Sequence, residues 1–261
     1  MTKTRLDQLL VDRGLAESRN RAQAMVMAGE VFTGEKRLDK PGQPVAPDLA
    51  VAIRRRTGDW VSRGASKLLG ALDHFGLDPT DAVALDIGAS TGGFTEVLLA
   101  RGARRVYAVD VGHGQLHARL REDPRVVVLE RTNARHLDRG HVPEPVDLVV
   151  CDASFISLTL VLPPALALAR PGAVLVALIK PQFEAGRGEV GKGGVVRDAT
   201  VHAAVRERIR AWLEGEMGWT VAGTAPSPIT GPKGNREFLV VARKPDTQTA
   251  SRSRAKPASS S

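Results

Sequence analysis

The sequence has very little cysteine and no long hydrophobic run, and both shortages exclude classes of protein. Cys151 is the single cysteine among 261 residues, so the chain can form neither a disulfide framework nor a thiolate zinc site. Its position in the apolar run "DLVVCD" predicts a small core residue. The longest clean apolar run, residues 173–179, is far shorter than the roughly 18 to 20 residues that a membrane-spanning helix needs. We therefore expect a globular protein without a membrane segment.

The first residues also lack the features of a targeting signal. The start, "MTKTRLDQLL", has no hydrophobic region after its charges, so we expect no signal peptide and a cytoplasmic location. We expect no bound metal ion. The sequence leaves the oligomeric state open, with a monomer as the expectation.

Positive charge exceeds negative charge, and the excess is unevenly distributed. The formal net charge is +8, and residues 1–67 hold 13 Lys and Arg against 8 Asp and Glu. This surplus indicates a basic surface near the N-terminus and a polyanionic partner. Charge alone supports a solvated surface without a partner equally well.

The first 57 residues have the pattern of a small module with two helices followed by short strands. Ser18 is a plausible N-cap for the second helix, which we expect to end at Gly29. Short strands are predicted around Val31 and over residues 51–53, because the intervening residues are rich in turn formers. The apolar stripes that predict the two helices consist of Leu6, Leu9, Leu10 and Leu15, and of Ala22, Met25 and Val26.

This module resembles the S4 RNA-binding domain over about residues 3–55. The resemblance depends on the leading "RLD", the Ser-Arg pair that opens the second helix, and "AGEV" before the first strand. In such domains the second helix and the following loop lie on RNA. The resemblance therefore implies phosphate contacts by exposed cations, although each cation could also be an ordinary surface charge. The candidates are Arg5, Arg19, Arg21, Lys36 and Arg37, with Arg63 in the linker that follows.

From residue 82 onward, strands and helices alternate. Continuous apolar strands between helices predict a mostly parallel sheet covered on both faces, which is a doubly wound α/β fold. We predict four parts of the chain: an S4-like domain over residues 1–57, a linker over 58–66, a Rossmann-like domain over 67–244 and a disordered basic tail over 245–261. Strands are predicted at 83–87, 106–111, 126–130, 146–152, 173–180, 220–223 and 238–242, and helices at 94–102, 115–120, 158–169 and 200–213.

A glycine-rich turn, "LDIGASTGGF" over residues 85–94, follows the first of these strands. It lacks both the lysine of a P-loop and the G-x-G-x-x-G spacing of a dinucleotide site. Asp86 closes the strand just before the turn, where its carboxylate would repel a pyrophosphate. The same carboxylate would favour S-adenosylmethionine, which carries an ammonium and a sulfonium. The turn is therefore predicted to bind S-adenosylmethionine.

Asp110, at the end of the next strand, is predicted to accept hydrogen bonds from the ribose hydroxyls of an adenosyl group. NAD-binding proteins use a carboxylate in the same way, so Asp110 by itself does not distinguish the two ligands. A helix N-cap is the structural alternative for this residue. Asp86 favours S-adenosylmethionine, and a nicotinamide-dependent oxidoreductase remains the alternative enzyme.

Three charged residues lie where strands end or begin, and a fourth follows the linker. Asp152 and Lys180 come directly after buried strands, Glu237 precedes the last strand, and Lys67 follows the linker. Carboxyl ends of parallel strands meet at the ligand crevice of an open sheet. A ribose hydroxyl is a poor nucleophile, so a base such as Lys180 or precise alignment would be needed. The sequence does not decide between these two roles.

The four residues resemble the Lys-Asp-Lys-Glu tetrad of FtsJ-like ribose 2′-O-methyltransferases, and the whole chain resembles the TlyA (hemolysin A) family. The resemblance implies methylation of cytidine ribose in ribosomal RNA, with Lys67, Asp152, Lys180 and Glu237 catalytic. It leaves open which ribosomal subunit is the substrate, and a non-catalytic RNA-binding protein is a further alternative. The implied cofactor residues, besides Asp86, are Gly88, Ser90, Thr91, Gly92, Asp110 and Asn133. The motifs that carry the resemblance, over residues 3–243, are "WVSRGASKL", "GASTGGFTEVLL", "DVGHGQL", "RVVVLERTNAR", "DLVVCDASFISL", "IKPQFE" and "GNREF".

Overall fold

The chain forms two compact units, Met1–Trp60 and Val61–Ser261. The computed structural model describes residues 4–16, 18–27, 31–34, 36–53, 60–186 and 188–246. The expected helix end at Gly29, residues 58 and 59 of the predicted linker and nearly all of the predicted tail lie outside these ranges. None of the described helices is long and apolar enough to cross a membrane.

The N-terminal unit contains two helices and two small antiparallel sheets. Its helices and the strands at Val31 and near Ile53 are confirmed. Leu15 was wrongly placed in the apolar stripe of the first helix: that helix ends at Asp12, so Leu15 lies in the turn beyond it and is 37% exposed. The elements are β1 (Thr4–Arg5), α1 (Leu6–Asp12), α2 (Arg19–Met27), β2 (Val31–Thr33), β3 (Lys36–Arg37), β4 (Pro44–Val45) and β5 (Ala52–Ile53), paired as β1-β4 and β3-β2-β5.

The C-terminal unit contains a seven-stranded sheet, which confirms the predicted doubly wound α/β fold. Five strands are parallel, and the last strand runs antiparallel to both of its neighbours. The strand order is β11-β12-β10-β9-β6-β7-β8. The elements are α3 (Ala65–Phe75), β6 (Val83–Ile87), α4 (Gly93–Ala100), β7 (Arg105–Val109), α5 (Ala118–Arg121), β8 (Val126–Leu129), β9 (Val146–Cys151), α6 (Leu158–Val161), α7 (Pro163–Leu168), β10 (Ala169–Ile179), α8 (Pro181–Glu184), α9 (Ala199–Gly215), β11 (Thr220–Pro226) and β12 (Phe238–Arg243).

Two predicted helices differ from the structure. The helix predicted over residues 158–169 is two short helices, because Pro163 lacks an N–H and instead begins the second one. The helix predicted near residues 115–120 is only the four residues of α5. Helix α3, which carries Lys67, had no counterpart in the sequence prediction.

The hydrophobic core lies on both sides of the central strands. All five residues of β6 are buried, as expected for a strand covered on both faces. Cys151 at the end of β9 is fully buried, which confirms a core role, and burial raises the pKa of its thiol to about 12. The paired strands β6, β9 and β10 therefore bring Ile87, Cys151 and Ala177 side by side, and the residues after them share one edge of the sheet.

Candidate active site

The glycine-rich turn connects β6 to α4 in a conformation that requires glycine at two positions. Gly88 has φ +81°, and a Cβ there would lie 3.0 Å from the Ala153 backbone. Gly92 has φ +98°, and a Cβ there would lie 2.2 Å from the Leu120 side chain. Gly88 thus lets two strand ends approach closely, whereas Gly92 makes room for α5.

A large cavity of about 470 Å³ opens at the carboxyl ends of β6, β7 and β9. Five of the predicted cofactor and catalytic residues lie on its wall, namely Gly88, Ser90, Asp110, Asn133 and Asp152. Thr91 lies instead on a neighbouring small cavity, and Gly92 lines neither. The two cavities share Gly88, Ser90, Asp152 and Ser154, so they form one continuous site.

Asp110 is held in place by backbone amides at the large cavity. One carboxylate oxygen accepts a hydrogen bond from the amide of Ser90 at 2.9 Å, and the other accepts one from Gly112 at 2.7 Å. The residue caps no helix, since the N-cap of α5 is His117. The N-cap alternative is therefore wrong, and Asp110 ties the glycine turn to its own loop.

Glu130 fixes the loop after Asp110, and the sequence analysis missed it. Its carboxylate accepts hydrogen bonds from the amide of Gln115 at 3.2 Å and from Arg121 at 2.6 Å, and it contacts His113 at 3.1 Å. A backbone hydrogen bond from Gly114, together with Arg121, lowers the pKa of Glu130 to about 2. The loop so held places the Gln115 side chain on the cavity wall, where it accepts a hydrogen bond from Ser90.

Asn133 lines the large cavity as the N-cap of the 3₁₀ helix Ala134–His136. Its side-chain oxygen accepts hydrogen bonds from the amide of Arg135 at 3.1 Å and from that arginine's Nε at 3.3 Å. The cap leaves the side-chain amide N–H groups of Asn133 as donors for a ligand.

Asp86 lies behind the cavity wall, not on it. Its side chain is fully buried, and one oxygen accepts a hydrogen bond from the Thr95 hydroxyl on α4 at 2.7 Å. The other oxygen has no hydrogen-bond partner among the described residues. Burial raises the pKa of Asp86 to about 7. The expected direct approach of this carboxylate to a ligand is thus not seen, because Thr95 holds it in the interior.

Lys67, Asp152, Lys180 and Glu237 form a continuous chain of ion pairs on the wall of the small cavity, whose volume is about 230 Å³. Lys67 Nζ lies 2.7 Å from Glu237 Oε2 and 3.3 Å from Asp152 Oδ2. Lys180 Nζ lies 2.7 Å from Asp152 Oδ1. The two lysine side chains are 8% and 7% exposed, so both ammonium groups are largely removed from solvent. The structure brings together all four residues predicted from sequence.

The ammonium of Lys180 has an acceptor for each of its three hydrogens. Besides the Asp152 carboxylate, it donates to the carbonyl of Asp152 at 3.0 Å and to the hydroxyl of Ser154 at 2.9 Å. An ammonium has no lone pair, so this arrangement positions donors and does not present a base to the cavity. To act as a base, Lys180 would first have to give up one of these hydrogens.

The position of Glu237 is fixed by neighbours that the sequence analysis did not identify. Gln182 donates a hydrogen bond to Glu237 Oε1 at 3.3 Å. A Cβ at Gly231 would lie only 2.2 Å from the same oxygen, so glycine is needed there for space. Gln182 lies within the motif "IKPQFE" and Gly231 precedes "GNREF", yet only their spatial proximity to Glu237 shows what they do.

The loop after Asp152 is fastened at both ends. Ser154 contacts Lys180, and the Ser157 hydroxyl and the Leu158 amide each donate to the Glu184 carboxylate at 2.7 Å. Glu184 is buried, and burial raises its pKa. Between these attachments Phe155 has φ +64° and is 89% exposed, on the wall of the large cavity. These residues were not predicted from the sequence, although "DASFISL" was part of a recognised motif.

The predicted RNA-binding cations differ in their surroundings. Arg5 and Arg19 both contact the buried carboxylate of Asp7, at 2.9 Å and 3.2 Å, and their side chains are half exposed. Arg63 is exposed and lies on the wall of the small cavity. Lys36 and Arg37 are exposed on β3, whereas the side chain of Arg21 lies outside the described part of the structure.

Comparison with known families matches both units. Residues 60–244 match the FtsJ-like methyltransferase family, and residues 4–51 match the S4 domain. The two matches cover the regions that contain the tetrad and the candidate RNA-binding cations.

Similar proteins with assigned names span nearly the whole chain. The "16S/23S rRNA (cytidine-2'-O)-methyltransferase TlyA" of Mycobacterium tuberculosis is 48% identical over 252 residues, 95% of this chain and 91% of that protein. The "Putative rRNA methyltransferase YqxC" of Bacillus subtilis is 48% identical over 239 residues, 91% of this chain and 85% of that protein. A solved structure, "Putative hemolysin from Streptococcus thermophilus", is 42% identical with a TM-score of 0.70, and the match covers 94% of this chain and 90% of that one.

Proposed function

Because the chain belongs to the FtsJ-like methyltransferases, in the TlyA (hemolysin A) family that carries an S4 domain, we propose that it methylates the ribose 2′-hydroxyl of cytidine in ribosomal RNA. The observation that carries the proposal is the ion-paired tetrad on a cavity continuous with the large cavity. The methyl donor is S-adenosylmethionine.

The side chains of the large cavity fit this donor better than a dinucleotide. Two carboxylates, Asp110 and Asp152, lie on the wall, and Arg135 is the one arginine there. Asp152 is already paired with Lys67 and Lys180, so Asp110, which has no ion-pair partner among the described residues, is the carboxylate that favours a cationic ligand over a pyrophosphate. When bound, S-adenosylmethionine would supply a methyl group on its sulfonium, with Asp110 and Asn133 as the residues to hold its adenosyl part.

In this proposal the tetrad positions the ribose. Two ammonium groups and two carboxylates form a nearly neutral chain, so a neutral hydroxyl can enter the small cavity without facing an uncompensated charge. The incoming 2′-oxygen would replace the Ser154 hydroxyl as one of the three acceptors around Lys180, and the hydrogen bond from Nζ would align it for in-line attack. As the oxygen gains a methyl group it becomes a protonated ether, which is strongly acidic, and its proton passes to Asp152 or to water.

The proposal assigns the S4-like unit, predicted over residues 1–57, to binding ribosomal RNA within a ribosomal subunit, and it locates the reaction in the cytoplasm. The catalytic domain of the proposal is the predicted range 67–244. Support comes from the S4 match and from the exposed cations of this unit.

Binding and transfer assays test the proposed function directly. The protein should bind S-adenosylhomocysteine in calorimetry and should not bind NAD. It should also transfer a labelled methyl group to RNA in isolated small or large ribosomal subunits, and the two arms show which subunit is the substrate. Binding of NAD in place of S-adenosylhomocysteine, or label found in protein and not in RNA, would refute the proposal.

A further inference from the structure

Nine arginines on the surface of the C-terminal unit are paired with carboxylates. Arg101 contacts Asp73 at 2.7 Å, and Arg104 contacts Glu144 at 3.3 Å. A cation in such a pair must give up its internal partner before it can bind an external anion fully. The other pairs are Arg105 with Glu144, Arg119 with Glu96, Arg121 with Glu130, Arg125 with Asp123, Arg170 with Asp147, Arg208 with Glu184, and Arg210 with Glu207 and Glu214.

Nine exposed cations of the described C-terminal unit form no ion pair: Arg131, Arg135, Arg139, Arg197 and Arg243, and four on the segments that border the small cavity. The latter four, Arg63, Lys192, Lys233 and Arg236, form no ion pair within the part of the chain that the structure describes. Lys233 Nζ donates only to a neutral acceptor, the carbonyl of Gly193, at 2.9 Å. We call these four residues the open cation edge.

The open cation edge borders the small cavity. Arg63 and Pro232, the residue before Lys233, lie on the cavity wall, and Arg236 immediately precedes Glu237 of the tetrad. Lys192 belongs to a loop that is fastened to the segment Gly231–Glu237. The fastening consists of hydrogen bonds from Lys233 to Gly193, from Asn235 Nδ2 to the Gly194 carbonyl at 2.9 Å, and from the Val196 amide to Asn235 Oδ1 at 3.1 Å.

The backbone at Lys233 shows that lysine is not the residue that best fits the turn. Its φ of +58° lies in the left-handed region, where glycine or asparagine is less strained than a lysine. The contribution of Lys233 is therefore its charge and its hydrogen bond to Gly193. Strained residues of this kind cluster at functional sites.

We propose that the open cation edge binds RNA phosphates next to the nucleotide whose ribose enters the small cavity. The proposal rests on the proposed function, since it takes RNA as the polyanion. Each cation without a carboxylate partner can neutralise one phosphate and release its counterions, without breaking an ion pair inside the protein. Base-independent contacts of this kind fix position and orientation and do not read sequence.

The test compares two triple variants of the full chain with equal changes in net charge. The first, Lys192→Gln/Lys233→Asn/Arg236→Gln, removes three cations of the edge, with asparagine chosen because it tolerates the left-handed turn. The second, Arg101→Gln/Arg104→Gln/Arg210→Gln, removes three cations that have carboxylate partners. Both are first checked for an unchanged melting temperature and unchanged affinity for S-adenosylhomocysteine.

Binding of a single-stranded RNA of about 20 nucleotides is then measured over a salt series, where each phosphate contact contributes a slope of about 0.7. The edge variant should lower the slope of log affinity against log salt by about 2, and the control variant by less than about half of that. Equal slopes for both variants, or a wild-type slope in the edge variant, would overturn the proposal. This experiment measures RNA binding and not methyl transfer, so a negative result here can be distinguished from a failure of the proposed function.

Discussion

Asp7 in the N-terminal unit and Asp152 in the C-terminal unit each contact two cations, but the two clusters are arranged in opposite ways. Asp7 is fully buried, and its partners Arg5 and Arg19 are half exposed. At Asp152 the cations are inside: Lys67 and Lys180 are nearly buried, and the carboxylate is 20% exposed on the cavity wall. The Asp7 cluster therefore presents oriented cations to solvent, whereas the Asp152 cluster keeps its cations from solvent beside an open cavity.

Hydrogen bonding separates the two clusters further. Asp7 also accepts hydrogen bonds from Gln23 at 2.8 Å and from the Gln8 amide at 3.0 Å, and the Arg5 guanidinium holds its pKa far below the usual range. The Asp7 carboxylate is therefore occupied by groups of its own unit and is not available to a ligand. The tetrad, in contrast, lies where a substrate can replace part of its hydrogen bonding. A saturated buried carboxylate thus stabilises a fold, whereas buried cations beside a cavity can take part in chemistry.

The largest effect is expected from Lys180→Ala. This change should slow methyl transfer at least about 100-fold while leaving affinity for S-adenosylhomocysteine unchanged, because a positioning or proton-transfer group is lost. Lys180→Arg should fail as well, since a planar guanidinium cannot reproduce the three contacts of an ammonium. Single-turnover kinetics on ribosomal subunits provide the measurement. A wild-type rate in Lys180→Ala would remove the residue from the mechanism.

Asp110→Ala should weaken binding of S-adenosylhomocysteine by about 10-fold to 150-fold, the equivalent of 1.5 to 3 kcal/mol for a hydrogen bond to a charged group. RNA affinity should stay nearly constant. Calorimetric titration measures the first quantity, and Asp123→Ala serves as a control because Asp123 contacts Arg125 away from both cavities. An unchanged dissociation constant in Asp110→Ala would remove this residue from the cofactor site.

Asp7→Asn should destabilise the N-terminal unit, because the two arginines lose their shared carboxylate. For a unit of this size we expect the melting temperature to fall by at least about 5 °C. Asp12→Asn, on the exposed side of the same helix, is the matched control and should change it little. Because the pKa of Asp7 is lowered in the folded protein, its carboxylate stabilises the fold above the ordinary aspartate pKa, and this contribution is lost on acidification. The difference in melting temperature between Asp7→Asn and wild type should therefore shrink below about pH 4. A difference that is equally large at low pH would contradict this assignment.

Asp86→Asn should have the smallest effect and the opposite pH dependence. Because the pKa of Asp86 is raised to about 7, its favourable contribution is present at low pH and is lost as the pH rises through 7. The variant should therefore gain stability relative to wild type between pH 5 and pH 8. A gain of roughly 1 kcal/mol would raise the melting temperature by about 2 to 4 °C. Equal relative stability at both pH values would refute the raised pKa.

The convergence of the tetrad could be predicted because it depends on topology. Asp152 and Lys180 follow apolar strands, and parallel strands of one sheet end at one edge. Glu237, before the last strand, and Lys67, after the linker, were included in the predicted set, but the helix that positions Lys67, α3, had no counterpart in the sequence prediction. The order of strands and helices was predicted from the alternation of apolar strands with helical patterns along the chain. The helix predicted over residues 158–169 is divided in two because Pro163 begins a second helix.

The supporting contacts could not be predicted, because they join residues far apart in sequence through side-chain geometry. Glu184 reaches Ser157 across 27 positions, and Gln182 reaches Glu237 across 55. The orientation of Asp86 depends on a single hydroxyl of α4, and the pairing of Arg5 and Arg19 depends on which carboxylate is buried between them. None of these contacts leaves a periodic signal in the sequence.

The chemical position of the methyl group distinguishes ribose methylation from base methylation. Ribosomal RNA is incubated with the wild-type protein and S-adenosylmethionine, hydrolysed in alkali and mapped for resistant phosphodiester bonds, because a 2′-O-methyl blocks alkaline cleavage and a base methyl does not. The account predicts a resistant bond 3′ to a cytidine, and no resistant bond with Lys180→Ala over the same period. A methyl group on a base, or a resistant bond formed equally well by Lys180→Ala, would contradict it.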